Sequence, residues 1–195
     1  LAKEVTYWTR PVLQAAPVFP LDYPKGENTV ASERRIEIVL DETKTHDLLE
    51  RVHVAYRTRT TDILLCALHL AAHAVNGTTA LLIHVESNGR EALFEDIDLA
   101  HTVGQFTTIY PVLLAVLVGG GTALGNGLTA IKEQLREVPH GGIGYGALKY
   151  LTKSDTRAAF KSAPAQISFT YYGQQSLDRP TAPRPFRPVA GTVNI

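Results

Sequence analysis

The densest run of chemistry in this chain is at residues 86–91, where Glu86, Ser87, Asn88, Gly89, Arg90 and Glu91 follow one another. A carboxylate able to take or return a proton and a guanidinium flank a Ser-Asn-Gly turn. Just before it, Leu81, Leu82, Ile83, His84 and Val85 have the length and apolar content of a buried strand. Acid and base groups delivered at the end of a core strand are held on a rigid element, as proton-transfer chemistry needs. His69 and His73 are four apart, a spacing that could ligate zinc from a helix. No Glu follows His69 and no third ligand is evident, so both read as packed histidines, and no metal is expected. Cys66, the only cysteine, lies in an apolar helix and reads as a buried thiol. Neither glycine cluster binds phosphate: glycines 119–121 lack a following Lys-Ser/Thr pair, and glycines 141, 142, 144 and 146 lack dinucleotide-fold spacing.

The elements that must position these groups follow from pattern. The first eight residues read as the end of a helix. Pro11, Pro17, Pro20 and Pro24 make residues 10–30 an extended linker, so the expected division is 1–30 linker and 31–195 folded subdomain. Ile36, Ile38 and Leu40 alternate, predicting a half-buried strand over 34–40. Asp41 suits an N-cap for a helix whose inner face is Leu48, Leu49, Val52, Ala55 and Tyr56. Thr61 is the expected cap of a helix over 62–75 that is apolar almost all round and should be central and buried. Strands are expected over 79–85 and over 103–118, the second interrupted at Pro111, with a flexible turn at glycines 119–121. Leu124, Leu128, Ile131, Leu135 and Val138 form the stripe of an amphipathic helix. A short helix over 145–151, a strand over 165–172 and a proline-rich end complete an α/β chain with a mixed sheet packed with helices.

Five stretches in order resemble the motifs of nonribosomal peptide synthetase epimerization domains. TDILLCALHLA is similar to DxLLxAL, VESNGRE to EGHGRE, HTVGQFTTIYP to RTVGWFTxxYP, VPHGGIGYG to PxxGxGYG, and ISFTYYGQ to FNYLGQ. The resemblance runs from Thr61 to Gln174 and implies the chloramphenicol-acetyltransferase-like fold shared with condensation domains. In that family two subdomains form a V around a tunnel, and this chain matches the C-terminal one. The HHxxxDG motif of the other half is not here, because no two histidines are adjacent.

The activity so implied is conversion of an L-aminoacyl or peptidyl thioester to its D form, by removing the α-proton and returning one to the opposite face. Such a site needs positioned acid and base groups and a donor for the enolate oxygen. By the resemblance, Glu86 is the acid/base group of this half and a histidine of the N-terminal subdomain is its counterpart. Tyr171 matches the family tyrosine, and its hydroxyl would reach the thioester oxygen or orient Glu86. Asn88, Gly104, Gln105, Thr107, Tyr110 and Thr170 are expected to line the substrate tunnel. Arg90 is expected to brace the loop, and Gly142, Gly144 and Gly146 to set backbone geometry through positive φ. No cofactor is expected to bind directly, since the substrate arrives on the 4'-phosphopantetheine arm of a peptidyl carrier protein. The segment is expected to be inactive without the N-terminal subdomain.

Ser87, Asn88, Gln105, Thr170 and His101 depart from the family residues. A condensation domain and a catalytically inactive docking domain therefore stand as alternatives. Tyr110 and Pro111 point to the epimerization branch.

Composition sets the outer bounds. The 195 residues are 45% apolar and 19% charged, enough for a packed core. Nineteen basic and nineteen acidic residues cancel with no charged block, which argues against nonspecific nucleic-acid or anionic-membrane binding. No stretch reaches the roughly 18 apolar residues of a membrane span. One cysteine and no signal-peptide pattern lead to a cytoplasmic expectation. The absence of any methionine leads to the expectation of a cut or processed N-terminus inside a longer protein.

Overall fold

The computed structural model describes residues 2–91, 93, 96–99, 101–116, 123–160 and 165–173. The turn expected at glycines 119–121, the proline-rich end and Gln174 lie outside the described residues.

The centre is a three-stranded mixed sheet of order β2-β1-β3. Strand β1 (Ala80–Ser87) pairs antiparallel with β2 (Thr108–Ala115) and parallel with β3 (Ile167–Thr170). Successive β1 side chains point to opposite faces, and Leu82 and Ile83 are both buried, so helices cover both faces of the sheet. Pro111 does not interrupt β2; it sits in the ladder opposite His84. Because β2 is an edge strand among the described residues, proline's missing N–H is tolerated there. The strand expected from residue 103 starts instead at Thr108, and Val103 is fully exposed in the preceding loop.

The predicted strand over 34–40 does not form. The segment is extended but belongs to no sheet, and Ile36 and Ile38 are more than 80% exposed. Alternation supplies an apolar face, but a strand also needs a neighbour for its ladder, and none is present among the described residues. The linker expectation is corrected in the other direction. Helix α1 (Val5–Trp8) falls where the end of a helix is expected, but α2 (Pro11–Gln14) interrupts the stretch read as extended, with Pro11 in the first turn, where its missing N–H costs nothing. Trp8 and Leu13 are each 1% exposed, and Trp8 stacks edge-on against Tyr145, with ring centroids 5.0 Å apart. Between Gln14 and the 3-10 turn at Val30–Ser32, residues 15–29 lack any regular element.

Asp41 caps α3 (Glu42–His46), its carboxylate accepting the Lys44 N–H at 2.8 Å. A π turn (Asp47–Arg51) joins α3 to α4 (Val52–Tyr56). Helix α5 (Thr60–Asn76) starts just before the expected cap at Thr61: the Asp62 carboxylate reaches back to accept the Arg59 N–H at 2.8 Å. Gly77, at φ +73°, closes its far end. Only one face of α5 is buried, carrying Asp62, Leu65, Cys66, His69 and Ala72, while Val75 is exposed, so composition alone overstated its burial. Helix α6 (Ala123–Arg136) buries Leu128, Ile131 and Leu135, although Leu124 is exposed. Helices α7 (Ile143–Leu151) and α8 (Ser154–Ala159) follow.

His69 is fully buried, and its imidazole is held below its ordinary pKa by that burial first and by His73 second, with the Val116 backbone opposing. The folded state therefore binds fewer protons than the unfolded chain below the unfolded value of about 6.5. Stability is expected to fall as pH drops through that value, read as a lower urea midpoint at about pH 5.5 than at about pH 7.5. His69→Leu should shrink this pH-dependent loss; an unchanged slope would show that His69 does not carry it.

Candidate functional site

The C-terminal end of β1 is where the sheet delivers side chains to open space. Register places Glu86 between Ile109 of β2 and Thr170 of β3. The Thr170 hydroxyl donates to Glu86 Oε2 at 2.8 Å. After Ser87 the chain turns: the Asn88 side-chain oxygen accepts the Arg90 N–H at 3.0 Å, and Gly89 adopts φ +66°. A Cβ at Gly89 would collide with the Phe106 carbonyl, so the turn requires glycine.

Two cavities meet at this turn, one of about 620 Å³ and one of about 460 Å³. Glu86, Ser87, Asn88 and Tyr171 line both. The larger is completed by Arg59, Thr61, Asp62, Glu91, Tyr110 and Arg136, and the smaller by Thr107, Thr170 and Tyr172. Burial pushes the Tyr110 phenol up to about 12, with Arg59 pulling the other way, so it is a neutral hydroxyl at physiological pH. Asp62, 2% exposed, pairs with the Arg59 guanidinium at 3.6 Å.

Of the residues singled out from sequence, Glu86, Asn88, Thr107, Tyr110, Thr170 and Tyr171 converge on these cavities. Gly104 and Gln105 do not: both are exposed in the 101–107 loop and line neither. Thr170, rather than Tyr171, bonds Glu86, and Tyr171 makes no hydrogen bond to it among the described residues. Gly142 has φ +84° as expected, but Gly144 and Gly146 lie inside α7 with helical backbone, so positive φ does not account for them. Sequence reasoning missed Arg59 and Arg136 as cavity walls. They come from α5's cap and the end of α6, elements far apart in sequence from β1, so no local spacing signals them. No group of three or more His, Cys, Asp or Glu suited to a metal occurs among the described residues, and the His73 ring nitrogen Nδ1 instead pairs with the Thr78 carbonyl at 2.9 Å. Among the described residues no helix is long and apolar enough to cross a membrane.

Arg90 ties the next loop together. Its guanidinium donates to the carbonyls of Leu99 (2.6 Å), Thr102 (3.0 Å) and Gly104 (3.2 Å) and lies over the Phe106 ring. Arg90→Lys should free residues 101–106, since an ammonium cannot span three carbonyls as a planar fork does. Faster proteolysis there is expected with a stability loss of only about 1 kcal/mol, because the contacts are exposed. Unchanged cleavage would show that the loop holds itself.

A mixed sheet packed with helices, presenting a carboxylate between cavities at a strand end, defines an α/β fold of the chloramphenicol-acetyltransferase-like, condensation-domain type. The family model for the Condensation domain matches residues 1–187, and the chain belongs to that family. It is 41% identical over 167 residues to chondramide synthase cmdD of Chondromyces crocatus, covering 86% of this chain and 4% of that protein. It is 37% identical over 178 residues to bacitracin synthase 3 of Bacillus licheniformis, covering 91% of this chain and 3% of that protein. Among solved structures, the epimerization domain from the third module of tyrocidine synthetase B superposes with a TM-score of 0.71 at 32% identity, covering 81% of this chain and 35% of that one. The chain thus spans a small part of these synthases and about a third of the solved epimerization-domain chain. Condensation-type domains of nonribosomal peptide synthetases act on substrates carried by the phosphopantetheine arm of carrier domains.

Proposed function

We propose that this chain is the C-terminal subdomain of an epimerization domain that converts a carrier-tethered L-aminoacyl or peptidyl thioester to the D form. The observation that carries the reading is Glu86, held by Thr170 at the end of the central strand and shared by two cavities. The likeness to a solved epimerization domain supports it. In this reading Glu86 exchanges the α-proton on one face of the substrate. The electron pair of the broken C–H bond moves into the thioester carbonyl, giving an enolate, and a second group returns a proton on the other face. That second group is a histidine of an N-terminal subdomain bearing HHxxxDG, so the two subdomains act together with a peptidyl carrier protein. In this reading Tyr171 donates to the enolate oxygen, a role supported by its position on both cavity walls and its 37% exposure.

Peptide-bond formation is the second reading, favoured by the match to the Condensation family model. The test pairs the chain with its N-terminal subdomain, loads a carrier with an L-aminoacyl group, and follows chirality at the α-carbon with and without an acceptor carrier. D product supports the proposal. A new peptide bond without inversion moves the assignment to condensation, and a carrier that stays L and unextended moves it to a docking role.

A further inference from the structure

We infer that Thr170 is a positioning residue for the proton transfer: its hydroxyl fixes the Glu86 carboxylate so that Oε1 meets the substrate α-carbon. The inference rests on the role proposed for Glu86 and adds what holds that group in place.

A glutamate at a strand end has a broad, nearly two-fold terminal torsion, so strand geometry alone leaves its carboxylate free to swing between the two cavities. Glu86 is partly exposed and lines both. The Thr170 bond at 2.8 Å is the contact that selects one orientation. It arises from the sheet: β3 pairs parallel with β1 from Ile83↔Ile167 to Glu86↔Thr170, so threonine stands directly beside the glutamate. Its β-branched side chain is stiff at χ1, which helps to hold Oγ1 toward the glutamate. With Oε2 occupied by this donor, Oε1 is the oxygen outside the bond and the one assigned to take the proton. Reacting groups displaced by about 1 Å lose roughly a hundredfold in rate, so a single hydroxyl can control turnover.

The experiment uses the chain paired with its N-terminal subdomain, an L-aminoacyl carrier, and the variants Thr170→Val and Thr170→Ser. Valine keeps the shape and removes the donor; serine keeps the donor. Valine should lower kcat for inversion by about ten- to a hundredfold with KM changed less than about twofold, and serine should recover most of that loss. Independently of activity, the carboxyl carbon-13 resonance of Glu86 should move in the valine variant and stay near its original position in the serine one. Equal losses in both variants, an unmoved Glu86 resonance, or a fall in urea midpoint with kcat unchanged would each overturn the inference. Wild-type protein that makes no D product while its Glu86 resonance still responds to Thr170→Val would instead overturn the functional reading, and the positioning role with it.

Discussion

Glu86→Gln is expected to abolish formation of the D product by the paired subdomains, with kcat reduced about 10²- to 10⁴-fold and KM little changed. The substitution is informative because it is nearly isosteric. The glutamine side-chain oxygen can still accept from the Thr170 hydroxyl, which reaches Oε2 at 2.8 Å in the wild type, so the β1–β3 junction should survive. What is lost is the capacity to hold and release a proton. Glu86 is only partly buried, so the stability change should stay within about 1 kcal/mol, and a urea titration separates a chemical defect from a folding one. Following α-deuterium washout from the loaded carrier alongside chirality sharpens the outcome. Loss of both exchange and inversion makes Glu86 the group that works the α-proton. Retained washout with lost inversion would place it on the returning step only. Retained inversion would remove it from the chemistry altogether.

The parts of this site that were legible in sequence are those encoded locally. The apolar run before Glu86 became β1, and the Ser-Asn-Gly knot became a turn with an Asn88 bond and a positive-φ glycine, because strand and turn preferences act over a few residues. Asp41 could be recognised as a cap for the same reason. The failures concern partners distant in the chain. Ile36 and Ile38 alternate like a strand, yet alternation does not say whether a neighbouring strand exists, and they are exposed. Prolines at 11, 17, 20 and 24 suggested a linker, yet Pro11 starts a helix that carries Leu13 into the core. The Thr170–Glu86 bond spans 84 positions and depends on the parallel register of β3, which no local pattern specifies. Family motifs brought these residues to notice, but only the fold showed which of them reaches Glu86.

Gly142→Ala is expected to cost roughly 2–5 kcal/mol. Two effects combine. Gly142 adopts φ +84°, a left-handed conformation that a Cβ makes unfavourable, and that Cβ would also fall on the Tyr110 ring. The ring cannot retreat easily: Tyr110 is 7% exposed and packs edge-on against Trp8, with centroids 6.1 Å apart, and Trp8 is itself buried. Since Tyr110 also walls the larger cavity, any shift that relieves the clash should disturb the site as well as the core. Gly146→Ala provides the control from the same glycine-rich stretch. It lies within α7 with no atom within 4 Å of an added Cβ, and alanine is the better helix former, so it should stabilise by about 0.5–1 kcal/mol. Urea midpoints for the two variants should therefore move in opposite directions. If both fell alike, the cost would belong to flexibility of the whole glycine-rich stretch, and not to the close approach of Gly142 to Tyr110.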